Sequence, residues 1–191
     1  MNDDVARAYY AASRYFVELV ARVPRTRYDD VGLGEWTILE LIAHTNRSHT
    51  LLVEYVERPA EPAGPDYNTP QAIAARARAS VAALGDDPPT AVAVAAERAR
   101  DVVATSDADS ELGTAFGPRR MADYLPVRVA ELVIHGLDLT RAAGIDAPPP
   151  VSALHVTLHQ IADMAEARGT SETVVLALSG RTRLPEHFTV Y

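Results

Sequence analysis

The feature that most constrains this chain is its punctuation. Apolar residues recur at i, i+3 and i+4 through a series of long segments, each closed by proline or glycine. That is the pattern of amphipathic helices, whose single apolar stripe must be covered by another helix. From Asp3 to Val23 the stripe is Tyr9, Ala12, Phe16, Leu19 and Val20, and Pro24 ends it. After a loop, "PRTRYDDVGLGEW", Thr37 and Glu40 spell a capping box that opens a second helix reaching Glu57, where "RPAEPAGP" stops it. A third helical region begins near Thr69, breaks at "LGDDPP", and resumes with Pro88 and Pro89 in its first turn to end near Thr105. "ELGTAFGPRR" reads as a loop. The last long helix is expected from Met121 to Ala143, stopped by Gly144, with Pro126 marking a kink or a later start. The spacing therefore predicts a mainly α protein, a four-helix bundle over residues 1–146. "APPP" marks a boundary, and residues 147–191 read as a short C-terminal extension packed on the bundle. It should hold one helix from Val151 to Arg168, a strand-like "TVVLALSG" and an irregular tail.

Charge and cysteine content narrow the function. The net charge is −8 with a pI near 5.2, which argues against nucleic acid or an anionic membrane as partner, since both require a basic surface. No apolar run has the length of a transmembrane helix, and the acidic opening "MNDDVARAYY" is unlike a secretory leader, so a cytoplasmic location is expected. Cysteine is absent. Disulfides, cysteine-ligated zinc and a cysteine nucleophile are excluded, so any metal must be held by His, Asp or Glu, and any thiol must come from outside.

Against this background "ELVIHGLDL", residues 131–139, is the most informative stretch. On a helical wheel with Glu131 at zero, His135 falls at about 40°, Asp138 at about −20°, Arg128 at about 60° and Tyr124 at about 20°. Leu132 and Leu139 border this polar stripe on one side, Ile134 and Val127 on the other. A stripe with apolar residues at both edges should point into the bundle. Buried ionisable groups must be paired or bound to a metal. From this helix alone both readings stand: a hydrogen-bonded network of Glu131, His135, Asp138 and Arg128, or a metal chelated by i and i+4 ligands.

A metal needs a further ligand. In "LIAHTNRSHTLLVEY", His44 shares the inward face of Leu41, Ser48, Leu51 and Tyr55, whereas His49 points about 140° away. The competing i, i+4 pair, His155 and His159, groups with Ser152, Asp163 and Glu166, opposite an apolar side of Leu154, Leu158, Ile161 and Ala165, and reads as solvated. His187 has no evident partner. No phosphate loop or nucleophile elbow occurs, and Trp36, the only tryptophan, reads as a packing anchor before a helix start.

"GEWTILELIAHTNRSH", followed by "VRVAELVIHGLDLTRAAG", resembles the DinB-like, mycothiol-dependent maleylpyruvate isomerases of actinobacteria. The shared pattern is a Trp-Ser/Thr helix start leading to a His, then Arg-x-x-Glu-x-x-x-His-Gly-x-Asp-Leu on the last bundle helix. The tail "LALSGRTRLPEHFTVY" is similar to the endings of many relatives. The resemblance implies a DinB-like four-helix bundle with a small helix/strand extension. It also implies a divalent metal, usually zinc, on His44, Glu131 and His135, with a coordination position left for water or substrate. The partners it implies are mycothiol, a low-molecular-weight thiol, and a small electrophilic substrate. Zinc would favour the thiolate at neutral pH, and a chain without cysteine fits an external thiol. In such an isomerase the thiolate adds to an activated cis double bond, the resulting single bond rotates, and elimination gives the trans product; a thiol S-transferase would share the first step. Within that chemistry Arg128 is cast as a carboxylate anchor and Asp138 as the partner that orients His135, the alternative being a core salt bridge. This chain carries Leu137 where relatives often have Trp, and Thr45 where Leu is common. A non-catalytic bundle used for ligand binding or assembly is the competing reading, and a homodimer is compatible with either.

Overall fold

A computed structural model describes residues 3–190. Seven α-helices and two short hairpins follow one another along these residues. Helix α1 (Asp3–Arg22) buries the stripe the periodicity marks: Tyr9, Ala12, Phe16, Leu19 and Val20 are at most 1% exposed. Helix α2 (Ile38–Glu57) starts at the capping box. Thr37 Oγ1 accepts from the Glu40 amide at 3.1 Å, and the Glu40 carboxylate accepts from the Thr37 amide at 2.8 Å. Helix α3 (Pro70–Val81) is capped by Thr69 and α4 (Pro88–Thr105) by Asp87, with prolines in the first turn of each. Helix α5 (Met121–Ala143) runs without a break through Pro126, whose position near the helix start limits the loss to one backbone bond. Its C-terminus is closed twice over. Gly144 takes the left-handed conformation at φ 64°, and Arg27 donates to the carbonyls of Ala142 and Ala143.

Helices α1, α2, α4 and α5 form the bundle, α1 packing on α4 and α5, and α2 on the same two from the other side. Helix α3 lies against α2. Helix α6 (Val151–Ala167) covers α1 and α5, and α7 (Ser171–Leu178) touches α6. The fold is thus the mainly α, DinB-like bundle expected.

Four local expectations are corrected. The loop between α1 and α2 contains a hairpin of β1 (Val31–Leu33) and β2 (Trp36–Thr37), preceded by a 3-10 turn at Arg25–Arg27. "ELGTAFGPRR" is a second hairpin, β3 (Glu111–Thr114) with β4 (Gly117–Arg120). Both have strands of at most four residues, too short to show an alternating pattern. The strand-like "TVVLALSG" is largely helix α7: its run of adjacent apolar residues has no period, and among the described residues no strand lies beside it to satisfy its backbone. On α6 the buried face is Ala153, Val156, Thr157 and Ala165, while Leu158 is 62% exposed. Small side chains there let α6 settle closely onto α1 and α5, and the larger leucine is turned outward.

Candidate metal centre

Two helices supply the centre. The capping box fixes where α2 begins, and His44 sits two turns in, with Trp36 of β2 against its ring at a centroid separation of 4.6 Å. Opposite, α5 presents Glu131 and His135 one turn apart. The His44 and His135 rings meet edge to face at 5.0 Å. His44 Nε2 lies 3.9 Å from Glu131 Oε2, and His135 Nε2 lies 3.6 Å from the same oxygen. One donor atom from each of the three falls within 4.8 Å of the others. All three side chains are less than a fifth exposed.

These distances fit a metal ion. They exceed the ordinary 2.7–3.2 Å of a hydrogen bond, whereas two ligands bound at about 2.1 Å to a tetrahedral zinc stand roughly 3.4 Å apart. The donor set, two imidazoles and a carboxylate, is one that zinc accepts. His44 Nδ1 is buried with no hydrogen-bond partner, so no structural bond holds this imidazole in place of a ligand role.

His135 is oriented from behind. Its Nδ1 lies 3.2 Å from Asp138 Oδ2, so Nδ1–H donates there and Nε2 is turned toward Glu131 and His44. Arg141 lies 3.7 Å from the other Asp138 oxygen. Arg128 takes no part in this network. Its guanidinium lies over the Tyr124 ring at 4.8 Å, and its Nε is buried without a partner. The four-residue hydrogen-bonded network open from the wheel therefore reduces to the single bond between Asp138 and His135, with Glu131 facing both histidines beyond hydrogen-bond distance.

Electrostatics separates the two histidines. Burial and the nearby His135 push His44 down to about 4, so it is neutral at pH 7. Burial also disfavours charge on His135, but the hydrogen bond to Asp138 and the nearby Glu131 carboxylate overcome it and raise the imidazole above its ordinary value. Glu131 is buried as well, yet the neighbouring His135 imidazole and the Arg128 charge hold its carboxyl below the usual range. Glu131 is thus a ready anionic donor.

Two neighbours escaped the sequence reading. Trp36 is more than an anchor: its ring also lies 6.5 Å from that of His135, closing one side of the centre. Arg47, one turn past His44 on α2, is half-buried, and its charge bears on His44. The only signal for it was its i+3 spacing from His44. The remaining histidines lie elsewhere in the hydrogen-bonding scheme. His49 is fully buried between Ser13 Oγ (2.9 Å from Nε2) and Asn46 Oδ1 (3.0 Å from Nδ1). His155 and His159 are exposed, their rings 4.3 Å apart, and His187 is exposed beside Glu186.

Residues 9–140, more than half of the chain, match the family model described as the mycothiol maleylpyruvate isomerase N-terminal domain. Neither a curated protein nor a solved structure gives a significant match.

Proposed function

The chain belongs to the mycothiol maleylpyruvate isomerase N-terminal domain family, and from that membership we propose that it is a divalent-metal enzyme that acts on an electrophilic small molecule with the help of an external thiol, mycothiol. The observation that carries the reading is the donor set His44, Glu131 and His135, gathered across α2 and α5 at spacings too long for hydrogen bonds. These three residues would hold the ion, zinc being the metal their chemistry suits best. A metal bound there would favour the thiolate form of the thiol near neutral pH.

The rest is the work of the chain's own side chains. Asp138 keeps the proton on His135 Nδ1 and so keeps Nε2 free as a donor. Glu131 supplies a negative charge, and Trp36 shields the two imidazoles on one flank. Arg128, with its guanidinium free of any carboxylate, is available to anchor an anionic substrate group. Isomerisation and S-transfer differ only in whether the added thiol is later expelled or retained, and the centre serves either.

The test begins with metal analysis of protein purified without added zinc. About one bound divalent ion, lost in His44→Ala and in His135→Ala, is the expected result; no bound metal, with unchanged stability in both variants, would overturn the reading. A panel of electrophiles offered with mycothiol then separates a cis–trans isomerase from a transferase by its products.

A further inference from the structure

Ten large apolar side chains are exposed among the described residues, and half of them fall between Val151 and Leu184. Two of these, Val151 and Leu158, stand on α6 beside the exposed pair His155 and His159. With His155 at zero on the wheel, Val151 falls at about −40°, Leu158 at about −60°, Ala162 at about −20° and His159 at about 40°. The outer face of α6 thus sets an apolar edge, a small residue and two imidazoles side by side. A face that only meets water carries polar side chains where this one has valine and leucine.

The two imidazoles are arranged as ligands. Their ring centroids are 4.3 Å apart, and i, i+4 is the spacing at which two histidines of one helix chelate a single ion. The Nδ1–H of His159 donates to the His155 backbone carbonyl at 2.9 Å, which leaves Nε2 as the free donor atom. Among the described residues neither ring has a carboxylate within ion-pair distance, so no internal partner takes up the pair. Asp163 and Glu166, exposed further along the helix, add the negative potential that draws a cation. Imidazole nitrogens suit zinc, but two of them fill only half of a tetrahedral shell.

We propose that His155 and His159 are half of a zinc site that a second copy of this chain completes, so that zinc joins two copies through α6. A two-fold axis crossing α6 at this pair brings four imidazoles around one ion, each copy contributing the same two residues. Ala162 is small enough for the two helices to approach closely, and Val151 and Leu158 of each copy are covered in the contact. Each chain has a net charge of −8, so two copies repel one another, and the dication offsets that repulsion where they meet. Association is therefore conditional on the metal. The site is separate from the triad, because α6 turns Ala153, Val156 and Thr157 toward the bundle and the histidine pair away from it.

The experiment is sedimentation velocity of the full chain, first stripped of metal by a chelator and then titrated with zinc chloride. The expected result is a monomer that becomes a dimer as zinc is added and reverts on chelation, with about half an ion bound per chain at the contact. His155→Gln and His159→Gln, both at exposed positions, should each raise the zinc concentration needed for half-dimerisation about tenfold or more. His187→Gln, also exposed, should leave it unchanged. Leu158→Ser keeps the chelating pair and should weaken the dimer about tenfold; a dimer indifferent to that change overturns this face as the contact. A monomer at every zinc concentration, a dimer that forms without zinc, a second ion bound by a monomer, or association that survives both histidine changes overturns the bridge. Dimerisation lost in His135→Ala but kept in both α6 variants places the bridging ion at the triad and overturns it too. A His135→Ala protein that still dimerises with zinc supports the bridge, whatever the fate of the function proposed above.

Discussion

Asp138 determines how His135 can be used. By accepting from Nδ1–H at 3.2 Å it fixes the tautomer that leaves Nε2 facing the other two donors. Replacing it with alanine should lower zinc affinity about 10- to 100-fold, read by competition with a chromophoric chelator, and should leave the fold intact because the residue is on the partly open side of α5. His49 answers to pH instead. Burial pushes its pKa down from 6.5 to about 3, so the fold selects the neutral imidazole. Its contribution to stability is complete above pH 6.5 and is withdrawn as pH falls through that value toward 3. Urea unfolding across this range should therefore show His49→Gln losing stability less steeply than the parent. At pH 7 the same change should cost about 1–3 kcal/mol, because Ser13 and Asn46 lose their partner. The grouping of His44, Glu131 and His135 was legible from sequence because all three lie on helices, where spacing converts directly into direction. Arg47 and Trp36 were not: an arginine between helix positions of mixed polarity reads as solvated, and the Trp36 contact depends on a hairpin that spacing cannot show.

Helix ends and close helix contacts set the precision of the centre. Thr37→Ala removes one half of the capping box and should destabilise the protein by about 1 kcal/mol, measured by thermal or denaturant unfolding. Glu40 keeps its bond to the Thr37 backbone amide in that variant. Gly136, next to His135, packs tightly against α1, since a Cβ placed there would stand 2.5 Å from the Tyr15 ring. Tyr15 is 6% exposed and its hydroxyl donates to the Ala147 carbonyl, so the ring has little room to retreat. Gly136→Ala gains up to about 1 kcal/mol of helix propensity but incurs overpacking of about 1–3 kcal/mol. The expected outcome is a lower Tm and weaker metal binding, because α5 must shift at the residue beside a ligand. At this scale long helices with caps and prolines were readable to within a residue or two of their ends. The hairpins and α7 were not, since strands of two to four residues are too short to establish an alternation and the run of adjacent apolar residues in α7 has no period.

The whole molecule depends on more than four helices. Helix α6 covers α1 and α5 with Ala153 and Val156, so we expect a chain cut after residue 146 to expose apolar bundle surface there. Such a truncation should unfold at lower denaturant concentration and tend to associate, which sedimentation and urea titration would reveal. If it proved as stable as the full chain, residues 147–191 would be an appendage and not a cover. Among the described residues no helix is long and apolar enough to cross a membrane, so the exposed Val175 and Leu178 of α7 are not part of such a span. A last property belongs to the chain as a unit because it has a single tryptophan. Trp36 lies against His44, which gives the protein one optical reporter located at the triad. Its emission should be quenched by a paramagnetic ion such as Cu(II) bound there and altered far less by diamagnetic zinc, so occupancy could be followed by fluorescence titration without a label.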